Sequence, residues 1–119
     1  MSMYEMDETF VANADLSAKQ YYLVVNSTGN RIGASGAGAA AIGALQDKPQ
    51  SGENGTVRLM GRSRVRAGDT ITAGGIFASD ANGTAVAVTS GTYGVGTAIT
   101  GVASGGIFDG MITHAGYKG

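Results

Sequence analysis

The sequence predicts an all-β protein, a small β-barrel or β-sandwich of two related halves with an extended N-terminal arm. Short apolar, β-branched segments such as residues 21–25, 56–60 and 84–89 are separated by turns rich in Asn, Asp and Gly. A helical apolar period with a good N-cap is absent from the sequence, and Gly makes up 21 of the 119 residues. Regularly spaced short strands of this kind are typical of sandwiches and barrels.

An internal repeat supports the division into two halves. The matched positions are Asp15/Asp69, Leu23/Phe77 and Gly29/Gly83 at a shift of 54, and Ile42/Val95 and Leu59/Ile112 at a shift of 53. The pseudo-repeat therefore covers residues 15–59 and 69–112. The alternative is that the matches only reflect the turn residues common to β-hairpins, because a Gly-rich chain easily matches itself. A true duplication predicts that neither half buries its apolar face alone.

The chain length suits one domain, for which the sequence predicts three parts. Residues 1–13 form the extended arm, residues 14–113 the all-β domain, and residues 114–119 a C-terminal tail. The arm is acidic and contains Tyr4 and Phe10. Because exposed aromatic side chains lose the gain from apolar burial, we expect the arm to lie against a surface.

The composition argues against most site chemistry. The chain has no Cys and a single His, His114, so no disulfide, metal site or cofactor is predicted. The segment 36–41 fits G-x-G-x-x-A but lacks the strand and helix of a dinucleotide loop. No catalytic cluster or small-molecule substrate site is evident, so we expect no enzymatic activity. The net charge of −1 argues against nucleic acid, and no apolar run or signal-like start indicates a membrane or export.

Four arginines, half of all Lys and Arg residues, alternate along one predicted strand. Even-numbered positions share one face of a strand, which predicts a basic outer face and an apolar inner one. A solvated, aggregation-resistant face is the simplest interpretation. Docking to an acidic protein surface is the functional one, since guanidinium groups bind carboxylates in pairs. The predicted protein-interface residues are Tyr4, Glu5, Asp7, Glu8 and Phe10 in the arm and Arg58, Arg62, Arg64 and Arg66 in the strand.

Segments 42–49, 67–83 and 94–98, the last preceding a Gly-Gly strand, resemble a family of small tailed-bacteriophage capsid decoration, or cement, proteins. The resemblance covers roughly residues 14–113. It implies an all-β body without catalytic residues that attaches to the outside of an assembled head.

The expected function is therefore that of a decoration protein, which binds the major capsid protein and stabilises the head by bridging its subunits. We expect a homotrimer at three-fold positions of the capsid exterior, assembled in the host cytoplasm, with no nucleic acid or membrane partner. The alternative is a stand-alone β binding module for a carbohydrate or receptor, on a phage fibre or surface protein.

Overall fold

A computed structural model of the protein describes residues 5–117, which form nine β-strands and no helix. The strands are β1 (Met6–Ala12), β2 (Leu23–Asn26), β3 (Arg31–Ala34), β4 (Gly43–Leu45), β5 (Asn54–Arg66), β6 (Ile76–Ser79), β7 (Ala85–Ala87), β8 (Tyr93–Ala98) and β9 (Ile107–Tyr117). The predicted all-β class is confirmed.

The first half of the molecule is a closed five-stranded barrel. Its strand order is β1-β3-β2-β4-β5, and β1 pairs antiparallel with β5 to close the ring. The β1–β3 pairing is parallel, whereas the other pairs in this half are antiparallel. Its core contains Ala12, Leu16, Val24, Ile32, Leu45 and Val57. Closure on the β3 side is short, because only Val11 and Ala12 of β1 pair with β3.

The second half extends from the C-terminal part of β5, where residues 61–66 pair with β9, and its strand order is β5-β9-β8-β6-β7. A parallel bridge between Ala67, just after β5, and Ala85 of β7 completes a second ring. Its core is built around Phe77 and Phe108, whose rings meet edge to face with centroids 5.2 Å apart. The long strand β5 thus belongs to both halves.

The strand registers show that the two halves are related, as predicted. The pairs Val24↔Ala34, Leu23↔Ala44 and Ala44↔Arg58 become Phe77↔Ala87, Ile76↔Thr97 and Thr97↔Met111 when 53 is added to each residue number. The shift of 54 expected around the first hairpin is one residue too large. The reason is that the left-handed glycine occupies different positions in the two turns, Gly29 in one and Gly83 in the other.

The N-terminal segment is extended, as expected, but it is part of the barrel. The backbone of β1 pairs with β5 through Asp7↔Arg58 and with β3 through Val11↔Arg31. In the second half, the C-terminal part of β5 has the same place that β1 has in the first. At the other end of the chain, β9 continues past residue 113 to Tyr117. Removal of residues 1–12 would therefore open the first barrel rather than detach an arm.

Candidate interaction surface

The outer face of β5 carries the four predicted arginines. Burial along the strand alternates: Gly61, Ser63 and Val65 are buried, whereas Arg62 and Arg64 between them are exposed. β5 pairs with β1 through residues 54–60 and with β9 through residues 61–66, so its outward side chains form one face with those of both strands. We call this face the charged band, made of Glu5, Asp7, Arg58, Arg62, Arg64, Arg66 and Asp109.

Arg58 is held by acidic groups of the same chain. Its Nε and Nη2 donate to the two carboxylate oxygens of Asp7, at 2.6 and 3.0 Å, and Nη1 lies 3.4 Å from Glu5 Oε2. The same guanidinium donates to the backbone carbonyl of Arg62 at 2.7 Å. The hydrogen bond to Asp7 raises the pKa of Arg58, and burial opposes that shift. A forked pair of this kind fixes the register of β1 against β5.

The other three arginines differ in their contacts. Arg62 Nη2 donates to Asp109 Oδ2 at 2.9 Å, and Arg66 Nη1 donates to the Gly105 carbonyl at 2.9 Å. Arg64 is exposed and forms no ion pair with another described residue. The band therefore carries both signs of charge and is not the strongly basic face that the strand alone predicts.

The predicted arm residues that the structure describes lie in three different environments. Tyr4 is outside the described residues. Glu8 is exposed and forms no ion pair within the described part of the chain. Phe10 is half-buried and packs against the core of the first half, so its ring stabilises the barrel. Among the described arm residues, Glu5 and Asp7 form ion pairs with one of the predicted arginines, Arg58.

Replacement of Asp7 by asparagine is expected to lower the free energy of unfolding by up to about 1 kcal/mol, because the ion pair with Arg58 is partly exposed. The difference between variant and wild type should shrink in high salt, which screens exposed charges. Urea unfolding at two ionic strengths measures both effects. Glu8→Gln is the matched control and should leave the midpoint unchanged; an equal loss in the two variants would contradict this account.

Beside the charged band lies an apolar groove that the sequence analysis did not predict. It has a volume of about 560 Å³ and is lined by Met6, Phe10, Asn26, Ala40, Ala41, Ile42, Leu59, Met60, Tyr93 and His114. The edge residues Met6 and Met60 are 51% and 44% exposed. Exposed methionines next to an apolar depression are typical of protein contact surfaces. The groove is assembled from distant segments, so no local pattern marks it.

His114 forms one wall of the groove and connects the two halves. Its Nε2 donates to the Leu59 carbonyl at 2.7 Å, because a carbonyl can only accept. Its Nδ1 lies 3.1 Å from the Tyr93 hydroxyl, which donates to it in the neutral ring. The residue has a φ of 55°, a strained conformation for a non-glycine residue. Through these contacts the His114 side chain joins β9 to Leu59 of β5 and to Tyr93 of β8.

The described residues contain no group of three or more His, Cys, Asp or Glu side chains placed to hold a metal ion. Within the same part of the chain, no helix has the length and apolar character needed to cross a bilayer.

The fold and surface define a small two-half β-barrel domain with a mixed-charge band and an adjacent apolar groove. Its structure is similar to a solved structure described as the head fiber gp8.5 N base of bacteriophage phi29. The TM-score is 0.76 at 19% sequence identity, over 97% of this chain and 99% of that one. Comparison with protein-family models found no match, and neither did comparison with curated protein sequences. At this identity the likeness establishes a shared fold.

Proposed function

We propose that the protein is a phage head decoration protein that binds the outside of the assembled head and bridges major capsid protein subunits. The observation that supports this most is the match to a phage head fiber base over nearly the whole of both chains. The proposal includes no enzymatic activity, cofactor, nucleic acid or membrane partner. The protein would be part of the virion exterior and would be assembled with it in the host cytoplasm.

We further propose three copies around each three-fold position of the head. A trimer can contact three capsid subunits at once, and the second and third contacts then form at high effective concentration. This would let individually weak contacts stabilise the shell.

The charged band is the surface that we assign to the capsid contact. Arg58 already forms ion pairs with Asp7 and Glu5 of the same chain. By contrast, Arg64 is exposed, and the side chain of Arg62 is 54% exposed despite its ion pair with Asp109. An acidic patch on the capsid would therefore meet Arg62 and Arg64 first. Exposed ion pairs contribute little affinity, but they fix orientation and raise the association rate.

The alternative function is a carbohydrate or receptor-binding module of a phage fibre. One observation favours it, namely that the similar structure is part of a head fiber. Carbohydrate sites generally use exposed aromatic platforms. The large apolar side chains exposed among the described residues are methionines and isoleucines: Met6, Met60, Ile76, Ile99, Ile107 and Met111. This composition favours the decoration function.

The test is binding of the purified protein to undecorated expanded heads of the phage that encodes it, measured by co-sedimentation. The double variant Arg62→Ser, Arg64→Ser is expected to bind about tenfold more weakly and with a flatter salt dependence, since two exposed charges are lost. The matched control is Arg31→Ser, Lys48→Ser, which removes the same charge from two exposed positions outside the band.

The outcomes separate the function from the surface. If wild-type protein does not co-sediment with heads at any concentration, the proposed function is wrong. If both double variants bind like wild type, or are weakened equally, the band is not the contact surface. A stabilising role further requires that bound protein delays heat rupture of the heads, and unchanged rupture would contradict bridging.

A further inference from the structure

The internal repeat allows the apolar groove of the first half to be compared with the equivalent region of the second half. Adding 53 to the groove residues Ile42 and Leu59 gives Val95 and Ile112 of the second half. The groove residues are only half-buried, whereas Val95 and Ile112 are 0% and 1% exposed. The same end of the barrel is thus closed in the second half and open in the first.

The first half itself covers that end of the second half. Leu23 N donates to the Gly83 carbonyl at 2.7 Å, and Gly38 N donates to the Ser79 carbonyl at 2.9 Å. Leu23 also belongs to the same buried apolar cluster as Val95. A face that contains Leu23, Ala34 and Gly38 therefore serves as the cover.

The second half presents the equivalent face to solvent. Adding 53 to Leu23, Ala34 and Gly38 gives Ile76, Ala87 and Gly91. All three are exposed, Ile76 by 41%, and Gly91 has the same left-handed backbone as Gly38. We call this the Ile76 face. The second half packs on the face of Leu23, but no further half-barrel within the described residues packs on the Ile76 face.

We propose that the Ile76 face of one copy of this protein docks into the apolar groove of a second copy. The intermolecular contact would repeat the contact that already joins the two halves. Neither the groove lining nor Ile76, Ala87 and Gly91 includes a carboxylate, Lys or Arg, so no charge has to be buried. The inference stands on the internal repeat and does not require binding to a head.

The intramolecular contact between the halves and the proposed intermolecular contact differ at one residue. Ala41 of the first half is buried in the shared core, whereas its equivalent Gly94 has no side chain, and a Cβ there would lie only 3.2 Å from Ala115 Cβ of β9. The intermolecular contact must therefore be smaller than the intramolecular one. The contact is also heterologous, because the groove of one copy meets the Ile76 face of the next copy. Heterologous contacts of this kind form a closed ring, such as a trimer, when the rotation that relates neighbouring copies returns to the first copy.

The chain contains no Cys, which allows a disulfide test. In the intramolecular contact, Ala34 Cβ lies 3.5 Å from the position of a Cβ on Gly83. Disulfide-bonded residues have Cβ atoms about 3.5–4.5 Å apart. The equivalent intermolecular pair is Ala87 with Asn30, and both residues are exposed. We expect oxidation of a mixture of Ala87→Cys and Asn30→Cys proteins to give a mixed disulfide dimer that forms more readily as concentration rises.

Two controls test the geometry. Ala103→Cys replaces Ala87→Cys with a cysteine at an exposed position in the loop between β8 and β9, and it should not cross-link to Asn30→Cys. Ile76→Asp added to Ala87→Cys should abolish the cross-link, whereas Ile99→Asp, also at an exposed isoleucine, should preserve it. Circular dichroism verifies that each variant is folded.

The proposal is overturned if the Ala87→Cys and Asn30→Cys mixture forms no mixed dimer, or no more than the Ala103→Cys mixture. It is also overturned if each single variant cross-links with itself as efficiently as the mixture. If Met60→Asp blocks binding to heads while no mixed dimer forms, the groove binds a head protein rather than a second copy. Head binding without a cross-link would leave the proposed function intact.

Discussion

Replacement of Gly96 by alanine is expected to lower the free energy of unfolding by about 3 kcal/mol, the upper end of overpacking effects. A Cβ on Gly96 would overlap the backbone carbonyl of Met111 on β9 and would lie 3.0 Å from Phe77 Cζ. β8 cannot retreat, because it is hydrogen-bonded to β9 on one side and to β6 on the other. Urea unfolding followed by circular dichroism measures the loss.

The repeat supplies both a replicate and a control. A Cβ on Gly43 would overlap the carbonyl of Arg58, the equivalent of Met111, so Gly43→Ala should be destabilising in the same way. A Cβ on Gly36 would have no atom within 4 Å, and that residue has no left-handed backbone conformation. Gly36→Ala should therefore be neutral or slightly stabilising, since alanine lowers the entropy of the unfolded chain. Equal midpoints for Gly96→Ala and Gly36→Ala would refute the close-packing argument.

These glycines illustrate which parts of the fold could be predicted from sequence. Turn residues and β-branched runs are local signals, and they sufficed for the all-β class and for the relation between the halves. The exact repeat length depends on which residue pairs with which across the strands. Gly29 and Gly83 both adopt left-handed conformations, but they occupy different positions in their turns, so matching them displaced the prediction by one residue.

Contacts between distant segments account for what the sequence did not predict. The alternation of arginines along β5 correctly indicated an outer face, but its net charge depends on Asp7 and Asp109, which belong to other strands. Asp7 and Arg58 are 51 residues apart in the chain. Likewise, nothing local in β1 shows that it pairs parallel with β3 and closes a barrel. The groove requires all of these pairings at once, so it emerges only in three dimensions.

Replacement of Phe77 by alanine is expected to lower the free energy of unfolding by about 3–5 kcal/mol, as for other buried phenylalanines. Phe77 is 1% exposed and loses its edge-to-face contact with Phe108 in the variant. This is a large part of the total stability of a small domain, about 5–15 kcal/mol. Urea unfolding measures the loss, with Ile99→Ala, an exposed position, as the control that should change little.

The same variant tests whether the halves unfold together. The core around Phe77 includes Leu23 and Ala44 of the first half, and β5 contributes a strand to both halves. Loss of packing in the second half should therefore destabilise the first by the same amount, in a single transition. Amide hydrogen exchange should accelerate equally at Val57 and Phe108, one from each half. Two separate transitions, or faster exchange at Phe108 alone, would show that the halves unfold independently and that the shared strand does not couple them.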